Sequence, residues 1–535
     1  MRIGVDVGGT NTDAVLIAGR RVVASTKQPT SANVSAGVTA AIGAILAEAG
    51  VPASDVSAVT VGTTHFTNAL VERDRLDRVG IVRLASPSGE ALPPLTGWPE
   101  ALARQLGGTI FLLPGGYEVD GREISPLDEA AVRAAALDCR DQGINSIAVS
   151  CAFAPINAAM EERAAAIIAD ACPDANISLS HSIGRLGLIE RENGTILNAA
   201  LASLARHVVT SLERALAALG ITAPLYISQN DGTLISAADA ARYPVLTIGS
   251  GPTNSMRGAA FLTGVDNGIV MDVGGTTCDI GVLAGGYPRE SSIAVDIGGV
   301  RTNFRMPDIL AIGLGGGTRI HLPGPGPAAD DVTIGPDSVG FRLTEDAWLF
   351  GGSTLTASDV AVAAGKASFG DAGKIPALDP TLSAAILGKI AAMLADGIDR
   401  MKTQPGDATI IAVGGGHFLI DDDLKGAARV VRPDHAAVAN AVGAAIAQVG
   451  AQAERIVDYD TEPRAAVIDQ MRATLFARVT AAGATPESVE IVDMDEVFLS
   501  YLPGRSAQIR MKAVGSLADS VGAVDLPISG ARHAH

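Results

Sequence analysis

Two short segments carry residue types suited to phosphate and metal-ion chemistry. Residues 6–13 read Asp-Val-Gly-Gly-Thr-Asn-Thr-Asp, and residues 272–279 read Asp-Val-Gly-Gly-Thr-Thr-Cys-Asp, identical at six of eight positions. A terminal phosphoryl group with Mg2+ needs converging backbone N–H groups, carboxylates for the metal's waters, and close approach of backbone to ligand. Gly8 and Gly9, and again Gly274 and Gly275, permit that turn and approach because they lack a Cβ. Asp6 and Asp272 end short apolar runs and suit hydrated Mg2+, which takes one or two carboxylates plus phosphate oxygens. Thr10 and Thr276 add hydroxyl contacts, and Asn11 completes the first loop. Gly-Gly after an acidic residue is also ordinary turn chemistry. A turn alone, however, does not call for the same threonine and the same two aspartates twice.

Rival nucleotide motifs are missing. No G-x-x-x-x-G-K-[ST] occurs, since Gly365-Lys366 is followed by Ala367, and the glycines at 313–317 break the G-x-G-x-x-G spacing at Thr318. A third element suits adenosine: an apolar run from Ile410 to Val413 leads into Gly414-Gly415-Gly416, a turn without side chains on which a flat base can lie. The same pattern serves as a plain strand-to-helix turn. The small-residue segment Ala439 to Ala445 suits close helix packing at a hinge, or packing alone.

The elements that must position these groups follow from periodicity. Each octet lies between two apolar runs, which predicts a β-hairpin with Gly-Gly at its bend, and two copies predict two related lobes. Elsewhere helical and strand patterns alternate, as in an α/β protein. Helices are predicted at 35–49, 128–142, 158–171, 198–219, 382–401 and 435–449, and strands at 56–61, 146–153, 225–228 and 409–413. The glycine- and proline-rich stretch 313–336 reads as loop with short strands. The tail reads as a helix at 466–482 and strands at 489–494 and 506–513, a small α+β appendage.

Composition limits the partners. The 535 residues are 47% apolar and 4% aromatic, and 58 acidic against 40 basic residues give a net charge of -18. Such a chain repels a phosphodiester backbone, so no nucleic-acid partner is expected. Cys139, Cys151, Cys172 and Cys278 form no C-x-x-C pair, which points to reduced thiols and a cytoplasmic protein. The chain opens on a strand pattern without a charged and apolar leader, and no apolar run is read as approaching the ~20 residues that span a bilayer, so no membrane is expected.

The order of loop, second loop, glycine turn and small-residue helix resembles the actin/sugar-kinase/Hsp70 superfamily. The resemblance sharpens residue by residue to the hydantoinase/oxoprolinase family, A-type (ATP-binding) subunit. It rests on Arg2 to Asp13; on Gly62-Thr63-Thr64-His65 through Asn68-Ala69 to Glu72; and on Ser180-His181, Glu190-Arg191-Glu192 and Asn198-Ala199. Ser250-Gly251-Pro252, Gly315-Gly316-Gly317 and Ile334 to Ser338 follow in family order. The resemblance implies a two-lobed, actin-like (ribonuclease H-like) ATPase fold, with lobes at 1–180 and 181–460 and the α+β region at 461–535. It also implies ATP and Mg2+ as cofactors and phosphorylation of a cyclic amide or imide carbonyl (hydantoin, 5-oxoproline or lactam), which water then opens. Asp6 and Asp272 would handle Mg2+, and Thr10, Thr12, Thr276 and Thr277 the phosphates. Asp13 and Asp279 would orient the hairpins or a water, or cap backbone N–H groups. On the substrate side stand Thr63, Thr64, His65 and Asn68, in a loop after a strand, with His65 a general acid, an oxyanion donor or a structural group. Glu190 and Glu192 read equally as a salt-bridged helix start, and Cys278 as packing. A hydantoinase B-type subunit and a homo-oligomer are further partners to expect. Three other outcomes share these loops: a small-molecule kinase, the ATPase subunit of a related carboxylase, and a nucleotide-driven switch.

Overall fold

The computed structural model describes residues 1–8, 11–29, 34–291, 295–303, 306–322, 331–499 and 504–517. Gly9 and Thr10 lie outside these described residues.

Strand β1 (Arg2–Val7) is buried along its whole length. It pairs antiparallel with β2 (Asn11–Ala18) and parallel with β4 (Ala58–Thr63), while β3 (Arg21–Pro29) closes the edge beyond β2. Its burial has a cause at Gly4: the helix Ala439–Ile446 lies so close that a Cβ there would sit 2.1 Å from the Ala441 carbonyl oxygen. Beyond β4 come β9 (Leu225–Ser228), β10 (Leu234–Ser236), β21 (Val449–Asp458), β23 (Ser506–Gly515) and β22 (Glu490–Phe498), giving nine strands among the described residues.

A second sheet repeats the opening pattern. Strand β11 (Gly268–Val273) pairs antiparallel with β12 (Cys278–Ala284) and parallel with β19 (Ala408–Val413), and β20 (Ala427–Val431) follows β19. Strands β13 (Tyr287–Pro288) and β16 (Ile309–Ile312) pair with β12. A four-stranded parallel sheet, ordered β6-β5-β7-β8, is made of β5 (Val79–Ser86), β6 (Ile110–Pro114), β7 (Ser146–Cys151) and β8 (Asn176–Leu179). Two hairpins complete the strands: β14 (Val295–Ile297) with β15 (Val300–Thr302), and β17 (Thr318–His321) with β18 (Thr333–Ser338). The fold is mixed α/β, with a separate apolar core on each sheet.

Four expectations change. The tail is no separate appendage in its strands: β23 pairs along all of β21, and β21 joins β10 at Val449 and Leu234, so β22 and β23 extend the sheet that holds β1. The single helix expected at 198–219 is two, Leu188–Ala200 and Ala202–Ala218, because the Asn198 amide is engaged by Ser178, Arg242 and Val245 at the end of the first. The helix expected at 435–449 shortens to Ala439–Ile446, since His435 takes a left-handed φ and Val449 opens β21. The helix Pro380–Met401, with 22 residues, is by length and composition apolar enough to cross a membrane, contrary to the reading of the sequence. Its Ile386, Ile390, Leu394, Ile398 and Met401 recur at helical spacing and pack into the core of the second sheet.

Candidate functional site

The two octets fold into the same object. In the first hairpin Asp6 stands opposite Asp13, Val7 opposite Thr12, and the Gly8 N–H donates to the Asn11 carbonyl at 3.0 Å. In the second, Asp272 stands opposite Asp279, Val273 opposite Cys278, and the Gly274 N–H donates to the Thr277 carbonyl at 2.9 Å. Each leading aspartate rests on a glycine of the adjacent parallel strand or its turn. A Cβ on Gly62 would lie 2.6 Å from Asp6 Oδ1, and one on Gly414 2.2 Å from Asp272 Oδ1.

Two helices bring the hairpins together. Ser250–Thr263 and Ala439–Ile446 cross at glycines, where a Cβ on Gly258 would lie 1.9 Å from the Ala439 carbonyl oxygen and one on Gly443 1.8 Å from that of Asn254. The crossing delivers polar groups to both aspartates. Ser255 Oγ donates to Asp272 Oδ2, and Asn440 Nδ2 donates to Asp6 Oδ2 at 2.9 Å. Among the described residues, Asp6 Oδ1 and both polar side-chain atoms of Asn254 are buried without a hydrogen-bond partner. From β3, Lys27 Nζ donates to both Asp13 oxygens, at 2.9 and 2.8 Å, and to the Ala437 carbonyl at 3.2 Å.

Burial governs the electrostatics. The Asp6 carboxyl is pushed up to about 7 by burial first, then by Asp13 and Asp272, against Lys27 and Asn440. Burial and then Asp272 push Asp279 up to about 7. Asp272 is raised by burial against the Ser255 hydrogen bond and Lys27, and Asp13 by burial against Lys27. Asp6, Asp13 and Asp272 thus act on one another and on Lys27, and Asp272 acts on Asp279, an arrangement that holds protons or attracts a cation.

The remaining predicted residues cluster around this centre. Gly414 N–H donates to Ala436 and Gly416 N–H to Val273, so the glycine turn packs against the base of the second hairpin, with Gly415 exposed. Gly316 and Gly317 N–H groups bind the Gly274 and Gly275 carbonyls at 3.0 and 2.7 Å, which accounts for that glycine run as a support of the second turn. Thr63 ends β4, and both the N–H and Oγ1 of Thr64 donate to the Val7 carbonyl at 3.2 Å. His65 opens the helix His65–Glu72 rather than lying in a loop, and its Nδ1 is 2.6 Å from Thr63 Oγ1. Burial, then Arg75, lowers the His65 pKa and favours the neutral ring. Asn68 lies one turn on, its N–H bonded to the Thr64 carbonyl. Cys278 is buried and its thiol raised well above the ordinary range, which suits packing and not nucleophilic attack. Glu190 pairs with Arg301 at 3.3 Å, whereas Glu192 is buried against Arg83 and Ser150. Pro252, Met256, Gly281 and Ile309 close around Asp272 and Asp279. A larger hollow of about 540 Å³, beside Ser35, Thr39 and Arg214, holds none of these groups.

Lys27, Asn254, Ser255 and Asn440 were not singled out by the sequence reading. Only Asn440 had a signal there, as the one polar residue in the small-residue run.

Comparison with known proteins gives the chain's family. The family model described as the hydantoinase/oxoprolinase N-terminal region matches residues 2–172, and that described as hydantoinase/oxoprolinase matches residues 191–401. The chain is 28% identical over 396 residues to the caprolactamase subunit alpha of Pseudomonas jessenii, covering 68% of this chain and 54% of that protein. It is 26% identical over 395 residues to the acetophenone carboxylase gamma subunit of Aromatoleum aromaticum, covering 68% and 53%. The chain thus spans about half the length of these curated relatives. Among solved structures, the ATP-dependent caprolactamase of Pseudomonas jessenii superposes with a TM-score of 0.77 at 22% identity, covering 97% of this chain and 88% of that one. Nucleotide-free acetone carboxylase gives 0.68 at 18%, again covering 97% and 88%. With both family models in sequence along it, the chain belongs to the hydantoinase/oxoprolinase family.

Proposed function

We propose that the chain uses ATP to activate a cyclic amide or imide, such as a hydantoin, 5-oxoproline or a lactam, by phosphorylating its carbonyl oxygen so that water can open the ring. The observation that carries this reading is the pair of hairpins in matched register, with Asp6 and Asp272 drawn to one centre by two crossing helices. A two-lobed, actin-like ATPase architecture with duplicated phosphate hairpins is the reading that best accounts for it. The family, and a relative named as an amide-opening enzyme, support the substrate class.

The residues fit Mg2+ with ATP. Among the described residues Asp6 Oδ1 is buried without a donor, and a cation would relieve the raised carboxyls of Asp6 and Asp279. Among the described residues no three metal-ligating side chains converge. Mg2+ needs no such cluster, since it keeps several waters and takes the rest of its shell from one or two carboxylates and from phosphates. When bound, the ion and nucleotide would supply charge neutralisation and the phosphoryl group.

This chain's residues then do the positioning. Asp6 and Asp272, held by Asn440 and Ser255, would hold the ion. Gly8, Asn11 and Thr12, with Gly9 and Thr10 between them outside the described residues, would serve one side of the phosphates, and Gly274, Gly275, Thr276 and Thr277 the other. Lys27 neutralises charge between the lobes, the 414–416 turn receives adenosine, and Asp13 and Asp279 orient the hairpins. Thr63, Thr64, His65 and Asn68 face the ring, with the neutral His65 suited to donating a hydrogen bond. The division into lobes at 1–180 and 181–460 belongs to this reading, as does a B-type partner subunit, since both curated relatives are named as subunits.

A second reading has its own support. One relative is a carboxylase subunit and one fold neighbour a carboxylase; in this second reading phosphorylation of a carbonyl oxygen, with loss of a proton from the adjacent carbon, gives an enol phosphate whose nucleophilic carbon bonds to CO2 derived from bicarbonate. ATP turnover by the purified chain, alone and with each ring, separates the two. Stimulation by a ring without bicarbonate supports ring opening, bicarbonate dependence supports carboxylation, and no turnover under any condition contradicts both.

A further inference from the structure

The helix Ser250–Thr263 sends three consecutive side chains to three different places. Thr253 Oγ1 donates to the Asn230 carbonyl at 2.9 Å, and Ser255 Oγ donates to Asp272. Asn254, between them, is fully buried, yet among the described residues neither end of its amide has a hydrogen-bond partner. Asn440, from the other helix of the crossing, takes Asp6 Oδ2 and leaves Oδ1 likewise unpartnered among those residues.

Strand register brings these atoms together. Across the parallel strands β1 and β4 Asp6 pairs with Gly62, and across β4 and β9 Ser228 follows Ile227, the partner of Val61. Asp6, Gly62 and Ser228 therefore stand level at the carboxyl ends of three strands and share one face of the sheet. Gly62 is the member of that row without a side chain. A Cβ there would lie 2.6 Å from Asp6 Oδ1 and 2.7 Å from Asn254 Nδ2, so the carboxylate and the amide both crowd the room of one missing methyl group. Ser228 Oγ, also fully buried, is a third atom of the row without a partner among the described residues.

Buried polar atoms in folded chains are nearly always paired, and a group of partnerless ones calls for water or an ion between them. An apolar side chain of the same size would fill the place of Asn254 without the desolvation that a partnerless amide costs. The donor set is a carboxylate, an amide carbonyl and a hydroxyl, all hard oxygens, which suits a hydrated divalent cation.

We propose that Asn254 is a positioning residue for the hydrated cation at Asp6, an assignment that rests on the function proposed above. An amide offers a donor at one end and an acceptor at the other. Its Nδ2 end lies beside the Asp6 carboxylate, and its Oδ1 end accepts a hydrogen bond from one of the ion's waters. Ser228 Oγ is a second acceptor in the same row. Residues 254 and 255 then divide the work between the hairpins: Asn254 serves the ion's shell at Asp6, and Ser255 fixes Asp272. One helix thereby sets both aspartates in register with one ion.

The test measures Mn2+ binding to the full chain by electron paramagnetic resonance, in the presence of a non-hydrolysable ATP analogue. Asn254→Ala removes the amide, Asn254→Leu removes it while keeping the branched shape, and Asn254→Asp keeps an acceptor oxygen. Melts without metal show which variants are folded, and either of the first two, once folded, decides the outcome. Both should bind Mn2+ about 10-fold or more weakly, the usual scale for losing a group that orients a metal's ligands. Asn254→Asp should stay within about threefold of wild type or bind more tightly. A residue needed only for packing would shift the melts and leave Mn2+ affinity alone. Folded Asn254→Ala or Asn254→Leu within about threefold of wild type therefore overturns the proposal, as does equal weakening in all three variants. Wild type that binds no Mn2+ with the analogue would instead defeat the magnesium–nucleotide reading itself, and this assignment with it.

Discussion

Asp6 and Asp272 hold one position twice: each is the fifth residue of a buried strand, faces a second aspartate across an antiparallel pair, and lies over a glycine of the neighbouring strand or turn. Neither hairpin alone makes a site. The crossing of Ser250–Thr263 with Ala439–Ile446 gives the first aspartate Asn440 and the second Ser255.

Replacing either aspartate should separate stability from function. Asp6→Asn and Asp272→Asn remove a buried carboxyl that burial already disfavours as an anion, so the nucleotide-free variants should melt at or above the wild-type temperature. Ring-stimulated ATP turnover should fall by about 10²-fold or more, the usual scale for losing a charge-positioning group. Thermal melts and steady-state turnover on the same preparations check both halves.

The pH dependence carries a definite sign. Asp6 and Asp279 are raised to about 7 in the folded chain, against roughly 3.9 unfolded. Their contribution is fully present below about pH 4 and is lost as pH rises through about 7, because the unfolded chain releases these protons first. Asp279→Asn should therefore gain stability over wild type between pH 5 and 8, with the difference growing as pH rises. Melts without Mg2+ and nucleotide check this, and a constant difference across that range would speak against it. Binding of Mg2+ with nucleotide near neutral pH should release protons, readable by calorimetry in buffers of different ionisation enthalpy.

Two adjacent glycines should respond differently. A Cβ on Gly414 meets Asp272 Oδ1 at 2.2 Å with φ at 84°, whereas one on Gly415 meets only the flexible end of Lys27 at 3.7 Å. Gly414→Ala should cost more than about 1 kcal/mol, and Gly415→Ala should stay within about 0.5 kcal/mol. Chemical denaturation of both variants checks the contrast.

The helix crossing should be equally intolerant. Gly443→Ala places a Cβ 1.8 Å from the Asn254 carbonyl oxygen, which the helices can relieve only by moving apart. Such movement weakens the Asn440–Asp6 and Ser255–Asp272 contacts together. The variant should lose about 2 kcal/mol or more of stability and raise the KM for ATP, and a melt with an ATP saturation curve checks both.

What the sequence discloses of this site is what is local to it. The hairpins were legible because strand, turn and strand lie within a few residues of each octet, and Gly-Gly forces the bend. The partners were not: Lys27 reaches Asp13 from the next strand, and Asn440 reaches Asp6 from the far side of the chain. The tail's place in the first sheet rests on Leu234 pairing with Val449, and no local pattern carries such a pairing. The helix junction near Leu201 escaped for a similar reason, since apolar periodicity runs on through it while Asn198 is held by two other segments, at Ser178 and at Arg242 to Val245. His65 looked like a loop residue because Thr-Thr before it breaks the helical pattern; the helix begins at His65 itself.

Titration calorimetry of ATP with Mg2+ into the wild type and Asp272→Ala tests the central claim most directly. One Mg2+-dependent binding event in the wild type, weakened by about 10²-fold or more in the variant, is the predicted result. No ATP binding by the wild type, or equal binding by the folded variant, would contradict the assignment of the paired hairpins to a magnesium-bound nucleotide.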